Sequence, residues 1–133
     1  MNTLLLKAPS DWGKVTSSLL ALSRNKAREV RYINDAVDLS SDAGTIDVLV
    51  MGLKGQADYA LDVYGKSLIE LPNDTVGMHV ALSTGEPVLV PDESIAPSCW
   101  LVLSPDGSVE SVILDIEALN ERSEVRYRRA ERA

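Results

Sequence analysis

The sequence has very little of the residue types that carry metal and thiol chemistry. Its 133 residues include one cysteine, one histidine and no phenylalanine. A single thiol cannot close an internal disulfide, so the fold does not require an oxidising compartment. One cysteine and one histidine also cannot supply the ligands of a structural zinc site within a single chain. With only two Trp and four Tyr, the core is expected to consist mainly of aliphatic side chains.

Long hydrophobic runs are also missing. No stretch approaches the roughly 20 apolar residues that span a bilayer, and Leu4–Leu6 has neither the length nor the basic flank of a signal peptide. The hydrophobic fraction of 45% and the charged fraction of 25% are typical of a globular protein. The length predicts one domain. We therefore expect a cytoplasmic protein with no membrane segment.

The sequence also lacks the motifs of common enzyme classes. Gly52–Gly55 follows an apolar segment but does not have the glycine spacing of a phosphate-binding loop. The acidic segment Asp38–Asp42 does not have the ligand spacing of a calcium-binding loop. His79 and Cys99 have no sequence neighbours that would make them a general base or a nucleophile. We expect no cofactor, no metal site and no catalytic role for either residue.

Positive charge is nearly absent from the middle of the chain. Residues 35–116 contain fourteen acidic side chains and two lysines, and the whole chain has a net charge of -7. Residues 1–34 contain six basic and two acidic side chains, whereas residues 117–133 contain five arginines and four glutamates. The negative charge disfavours nucleic acid and anionic lipid as partners. The uneven distribution instead predicts contact with a protein, either a charged partner or a second copy of the chain.

The spacing of apolar residues predicts an α+β fold. A helix is predicted over 11–28 from four apolar residues three or four positions apart: Trp12, Val15, Leu19 and Leu22. Alternating or continuous apolar runs predict strands over 3–8, 30–34 and 45–51. Residues 35–44 are polar and acidic, and we predict a loop there.

Three hairpins are predicted in the second half of the chain. They span 59–71, 78–90 and 99–116, and the Pro-Asp-Gly sequence within Ser104–Gly107 is the strongest turn signal. Together these elements predict a mostly antiparallel sheet of six to eight strands with one amphipathic N-terminal helix packed on it. We assign residues 1–116 to this single α+β domain.

Residues 117–133 are predicted to form a charged C-terminal helix or tail. Glu124 and Arg128 lie four positions apart in the favourable order for a helical ion pair. The apolar stripe of this helix is thin, so we expect it to gain its order from a partner. The predicted partner-binding residues are five arginines: Arg122, Arg126, Arg128, Arg129 and Arg132.

Three functional hypotheses follow from these features. The leading one is a non-enzymatic binding or assembly protein that acts through protein–protein contacts, including self-association of its acidic middle with its arginine-rich end. One alternative is an acidic inhibitor that mimics nucleic acid in the basic groove of a partner. A second alternative is a small enzyme that uses Asp58 and Asp62, or His79. Acidic and basic patches on opposite sides of the protein would favour assembly. One continuous acidic face would favour the nucleic-acid mimic, and a pocket of converging Asp and His side chains would favour the enzyme.

Overall fold

The computed structural model describes residues 1–9, 11–40, 42–68, 70–92 and 96–130. The helices are α1 (Trp12–Leu22), α2 (Asn73–Thr84) and α3 (Ile116–Arg122). The strands are β1 (Asn2–Leu6), β2 (Glu29–Ile33), β3 (Thr45–Gly52), β4 (Lys54–Gly55), β5 (Tyr59–Tyr64), β6 (Val88–Pro91), β7 (Cys99–Leu103), β8 (Val109–Leu114), β9 (Glu124–Val125) and β10 (Tyr127–Arg129). These elements confirm the predicted α+β class.

Eight strands form one mostly antiparallel sheet in the order β10-β8-β7-β6-β1-β5-β3-β2, and β4 pairs separately with β9. In the main sheet only β2 and β3 are parallel. Two parallel neighbours start at the same end of the sheet. After the first strand, the chain must therefore run back along the length of the sheet before the second strand can begin. The chain makes that return through residues 34–40 and 42–44, and these described residues contain a 3-10 turn at Ala36–Asp38 and no α-helix.

Both faces of the sheet are covered. Helices α1 and α2 cover one face over a core of aliphatic residues that includes Leu4, Leu6, Val15, Leu19, Ile46, Val48, Leu61, Val63, Val80 and Leu103. On the other face α3 and β9 pack on a second buried cluster that includes Leu5, Ala60, Leu89, Trp100, Val102, Val112, Leu114 and Val125. Each apolar strand therefore buries alternate side chains on opposite sides.

Helix α2 replaces a predicted strand. The sequence predicts a strand over Met78–Leu82, and this prediction is wrong. The buried stripe of the helix consists of Val76, Gly77, Val80, Ala81 and Thr84. Gly77 and Thr84 carry no hydrophobic signal, so the helical period is hidden in the sequence. A Cβ atom on Gly77 would lie 2.7 Å from Val90 Cγ1, so the missing side chain allows α2 to lie directly on the sheet. The strand predicted to follow is present as β6, which pairs with β1 and β7.

The first predicted hairpin is also wrong, whereas the third is confirmed. β5 matches the predicted strand at its start, but its partners are β1 and β3. A return strand is predicted over Ser67–Leu71, but Ser67 and Leu68 belong to the 3-10 turn Lys66–Leu68. Ile69 lies outside the described residues. In the third hairpin β7 pairs with β8, with Leu103 opposite Val109 across the Pro-Asp-Gly turn.

The N-terminal helix is shorter than predicted. α1 begins after Asp11, whose carboxylate accepts a hydrogen bond from the Gly13 amide at 2.8 Å. It ends at Leu22 rather than at Arg28, because Arg24 and Asn25 have positive φ angles of 53° and 67°. Asn is one of the few residue types that enters this left-handed region readily, so it ends the helix.

The predicted helix over 117–133 is wrong beyond Arg122. Ser123 has a φ of 51° and ends α3. The residues that follow alternate in burial and form β9 and β10, and β10 pairs with β8. Glu and Arg favour a helix in isolation, but an open edge of the sheet provides hydrogen bonds that override that preference. Arg132 lies outside the described residues.

We predict that Leu19→Ala lowers the free energy of unfolding by about 2–5 kcal/mol, because Leu19 is fully buried between α1 and the sheet. Leu82→Ala is the matched control, since Leu82 is 56% exposed on α2 and should change stability by less than about 0.5 kcal/mol. Urea denaturation followed by circular dichroism measures both. Equal losses from the two variants would contradict the packing described here.

Truncation after Asn120 should lower stability by more than about 2 kcal/mol, because it removes the buried Val125 and the β10 ladder. The loosely attached tail predicted from the sequence would instead leave the body fully stable. Truncation after Ala130 is the control, since it keeps both strands. Thermal unfolding of the two truncated proteins distinguishes these outcomes, and an unchanged melting temperature after the longer deletion would argue against the sheet position.

Candidate functional site

The parallel pair determines the path of residues 34–40 and 42–44, which we name the acidic crossover. Arg31 and Asp47 are opposite each other on β2 and β3. They project on the face away from the helices, because their neighbours Val30, Ile46 and Val48 belong to the helix-side core. Both side chains contact the crossover, which therefore lies over the face opposite α1 and α2.

Side chains of the sheet hold the crossover by its main chain. Oδ2 of Asp47 accepts a hydrogen bond from the Ser40 amide at 2.6 Å, and Nη2 of Arg31 donates to the Asp38 carbonyl oxygen at 3.1 Å. Nε of Arg31 lies 3.7 Å from Oδ1 of Asp47. The Asp47 side chain is only 2% exposed, and its Oδ1 accepts no hydrogen bond within the described part of the chain. Asp47 is a buried carboxylate that needs its hydrogen-bond and charge partners, so its contacts with the Ser40 amide and with the half-exposed Arg31 fasten the crossover to the sheet.

Hydrogen bonds within the crossover restrict it further. Oδ1 of Asp35 accepts a bond from the Val37 amide at 3.0 Å and begins the 3-10 turn. The Ser40 hydroxyl oxygen accepts one from the Asp42 amide at 3.0 Å, and Oδ1 of Asp42 accepts one from the Gly44 amide at 2.8 Å. Asp and Ser form such local turns readily. A segment ordered in advance loses little conformational entropy when it binds.

The crossover presents apolar surface between negative charges. Val37 is 84% exposed and Leu39 is 37% exposed, and the side chains of Asp35 and Asp38 are exposed beside them. Covering Val37 with a partner would remove apolar surface from water, and the carboxylates favour a basic partner. The sequence-based interpretation treats 35–44 only as a solvated acidic loop. The signal that it overlooks is a valine and a leucine placed among aspartates in a loop.

Arginines lie at the opposite edge of the main sheet, where β10 is the last strand. A groove of about 380 Å³ lies at this edge, and we name it the arginine groove after its lining of Ile113, Leu114, Asp115, Arg126, Tyr127 and Arg128. Arg128 makes no ion pair with the residues that the structure describes. Oδ1 of Asp115 accepts a hydrogen bond from the Ala118 amide at 3.0 Å and caps α3.

The predicted partner-binding arginines do not form one surface. Arg122 and Arg126 both pair with Glu124, Arg122 at 3.7 Å between Nε and Oε2. Arg129 pairs with Glu110 of β8. Exposed pairs of this kind contribute about 0–1 kcal/mol, so these arginines can exchange one carboxylate for another at little cost. Of the four predicted arginines that the structure describes, Arg126 and Arg128 line the groove, and Arg122 and Arg129 do not.

His79 contacts a serine, not a carboxylate. It lies in α2 and not at the start of a strand, and its Nδ1 is 2.5 Å from Oγ of Ser18 on α1. Ser18 is 2% exposed, so its hydroxyl is not accessible to a substrate. The shallow depression beside this pair is also lined by Asp11, Gly13, Lys14, Ser17, Ala21 and Ser83. In the described ranges no carboxylate bonds to the imidazole, so the orienting group of a catalytic triad is missing there.

The two aspartates of the enzyme hypothesis are engaged separately. Oδ2 of Asp58 accepts a hydrogen bond from the Ala8 amide at 2.8 Å, and Oδ1 of Asp62 accepts one from the Thr3 hydroxyl at 3.0 Å. Asp62 faces away from the helices, because the residues on either side of it in β5 belong to the helix-side core. The structure therefore does not bring Asp62 and His79 into one site.

Tyr32 links α1 to the edge strand β2. Its ring packs edge-to-face on Trp12 with the centroids 5.4 Å apart, and its hydroxyl lies 2.8 Å from that of Thr16. Burial raises the pKa of the Tyr32 phenol above its ordinary value of 10.0, and the hydrogen bond with Thr16 offsets part of the rise. The phenol is therefore neutral near pH 7 and adds no charge on the helix side of β2.

Thiol, metal and membrane features are few in this chain. Cys99 is a free, half-buried thiol at the first position of β7. Within the described residues no three His, Cys, Asp or Glu side chains are grouped in a way that could hold a metal ion. None of the described helices is long and apolar enough to cross a membrane.

Comparison with known proteins assigns no family. The sequence matches no protein-family model, no curated protein and no solved structure. The crossover and the groove are therefore interpreted from their own residues.

We predict that Asp47→Ala lowers the free energy of unfolding by about 1–3 kcal/mol, because it removes the acceptor of the half-buried Ser40 amide. Asp42→Ala is the matched control, since the Asp42 side chain is exposed and should cost less than about 1 kcal/mol. Hydrogen exchange at the Ser40 amide should accelerate in the first variant more than in the second. If Ser40 exchanges at the wild-type rate in Asp47→Ala, Asp47 does not anchor the crossover.

Proposed function

We propose that this protein is a non-enzymatic binding protein that contacts a protein partner through the acidic crossover. The observation that supports this proposal is the exposure of Val37. This side chain is 84% exposed, although Asp47 and Arg31 fasten the segment that contains it to the sheet. A partner that covers an exposed valine removes its apolar surface from water, and full burial of such a side chain contributes about 1.5–3 kcal/mol. A rigid loop that displays one such side chain has the form expected of a contact site.

The charges beside Val37 define the kind of partner. Asp35 and Asp38 are exposed on either side of it. Charged groups at the rim of an interface steer encounter and select orientation more than they add affinity. The partner is therefore expected to carry a small apolar depression with basic side chains at its border. The free, half-buried Cys99 fits a reducing compartment such as the cytoplasm.

The two alternatives receive less support. A mimic of nucleic acid needs its carboxylates on one face, but Asp74 is exposed at the start of α2 whereas the crossover lies on the opposite side of the sheet. The enzyme hypothesis relies on Asp58 and Asp62, or on His79. The two aspartates each accept a hydrogen bond from a different residue of the N-terminal segment, and among the described residues the bonding partner of His79 is Ser18. Assembly has a specific observation in its favour, since the acidic crossover joins β2 and β3 at one edge of the sheet and β10 carries arginines at the other.

Site-specific photo-crosslinking tests this proposal. A benzophenone amino acid at position 37, introduced in the native host, should capture a discrete protein partner. The matched control places the same group at position 109, because Val109 is 56% exposed on β8, away from the crossover. Capture of the same proteins at both positions, or of none at position 37, would contradict the proposal.

Purified components then give the energetic test. Val37→Ser should weaken binding of the captured partner by about tenfold or more, as expected for an interface anchor. Val109→Ser should leave the affinity unchanged. Asp35→Asn together with Asp38→Asn should mainly lower the association rate and its salt dependence. Calorimetry and stopped-flow mixing measure these quantities, and unchanged affinity of Val37→Ser would refute a role for this side chain.

A further inference from the structure

We infer that the partner of the acidic crossover is a second copy of this chain, and that the arginine groove is the surface that receives it. The inference rests on the proposed function and names its partner. It joins two surfaces that have opposite charge and similar layout, one at each edge of the main sheet.

The chemistry of the two surfaces is complementary. The lining of the groove includes the apolar residues Ile113, Leu114 and Tyr127, and its cations are Arg126 and Arg128. The crossover has the apolar Val37 and Leu39 between carboxylates, and its backbone is fixed. Insertion of the valine would cover apolar surface on both sides and bring Asp35 and Asp38 next to arginines. Arginine suits this role because its planar fork binds a carboxylate through two hydrogen bonds.

The cations of the groove are available to such a partner. Arg128 makes no ion pair within the described residues. Arg126 pairs with Glu124, but its side chain is 64% exposed, so an exchange of carboxylates costs little. Asp115 is the one acidic residue of the lining, and its carboxylate already caps α3 through the Ala118 amide. The groove therefore keeps a positive character.

The position of the surfaces makes the contact intermolecular. Eight strands at a spacing of about 4.8 Å separate the two edges by about 34 Å, so the crossover cannot reach the groove of its own chain. Each copy then offers one crossover and one groove. A contact between unlike surfaces is heterologous, and it produces closed rings or open chains rather than a two-fold dimer with one shared patch.

Sedimentation velocity of the full chain tests the inference. The wild-type protein should associate as its concentration rises in about 50 mM salt, and the association should weaken at about 1 M, where the Debye length falls to about 3 Å. The crossover variant, Val37→Ser with Asp38→Asn, and the groove variant, Arg126→Gln with Arg128→Gln, should each associate about tenfold more weakly. Glu70→Gln and Arg129→Gln, both exposed and outside the two surfaces, are the matched controls and should behave like the wild type. Circular dichroism confirms that every variant is folded.

Mixing the two variants provides the sharper measurement. The crossover variant keeps an intact groove and the groove variant keeps an intact crossover, so together they should form a heterodimer of one copy each that does not grow further. A mixture that sediments as two separate monomers would overturn the inference, as would a wild-type protein that is monomeric at its highest soluble concentration in low salt. If position 37 captures a different protein while the wild type stays monomeric, the binding function holds and self-association fails. If position 37 captures nothing, both fail.

Discussion

The one parallel pair of strands in the main sheet determines where the acidic crossover lies. The other neighbours in the main sheet are antiparallel, and such strands can follow each other through short turns. β2 and β3 run in the same direction, so the chain has to return along their length before β3 can begin. That return passes over the face opposite α1 and α2. The exposed Val37 and its neighbouring aspartates lie at this place because β2 and β3 are the one parallel pair of the main sheet.

Polar side chains take the place that a helix occupies in most connections between parallel strands. Asp47 and Arg31 lie within apolar strands and face the crossover, where they bind its amide and carbonyl groups. The helix side of the sheet follows the opposite rule. There the packing is aliphatic, and α2 lies so close to the strands that Gly77 has no room for a side chain. The sheet therefore has one face held by contact between apolar surfaces and, at its β2 edge, another held by directed hydrogen bonds.

Local pattern predicts the fold class, the strands 30–34 and 45–51, the acidic loop and the third hairpin, because each of these depends on neighbouring residues. It fails where a distant partner decides the structure. β5 is a strand as predicted, but its partners are β1 and β3. The segment that follows β5 in the sequence does not pair with it. The stripe of α2 uses Gly77 and Thr84, which carry no hydrophobic signal. For the site, the acidic loop is visible in the sequence, whereas the burial of Asp47 and the exposure of Val37 depend on the crossover path.

The sheet holds the crossover through main-chain atoms, so the shape of the crossover does not depend on its exposed side chains. Arg31 and Asp47 bind the main chain of the crossover, at the Asp38 carbonyl oxygen and the Ser40 amide. The exposed side chains at positions 36, 37 and 39 take no part in those bonds. Substitutions there can change what the surface recognises while the backbone that presents it keeps its shape. The crossover thus has the property that makes antibody loops adaptable, a constant frame with variable contacts, and it offers a compact scaffold on which new specificities can evolve or be selected in the laboratory.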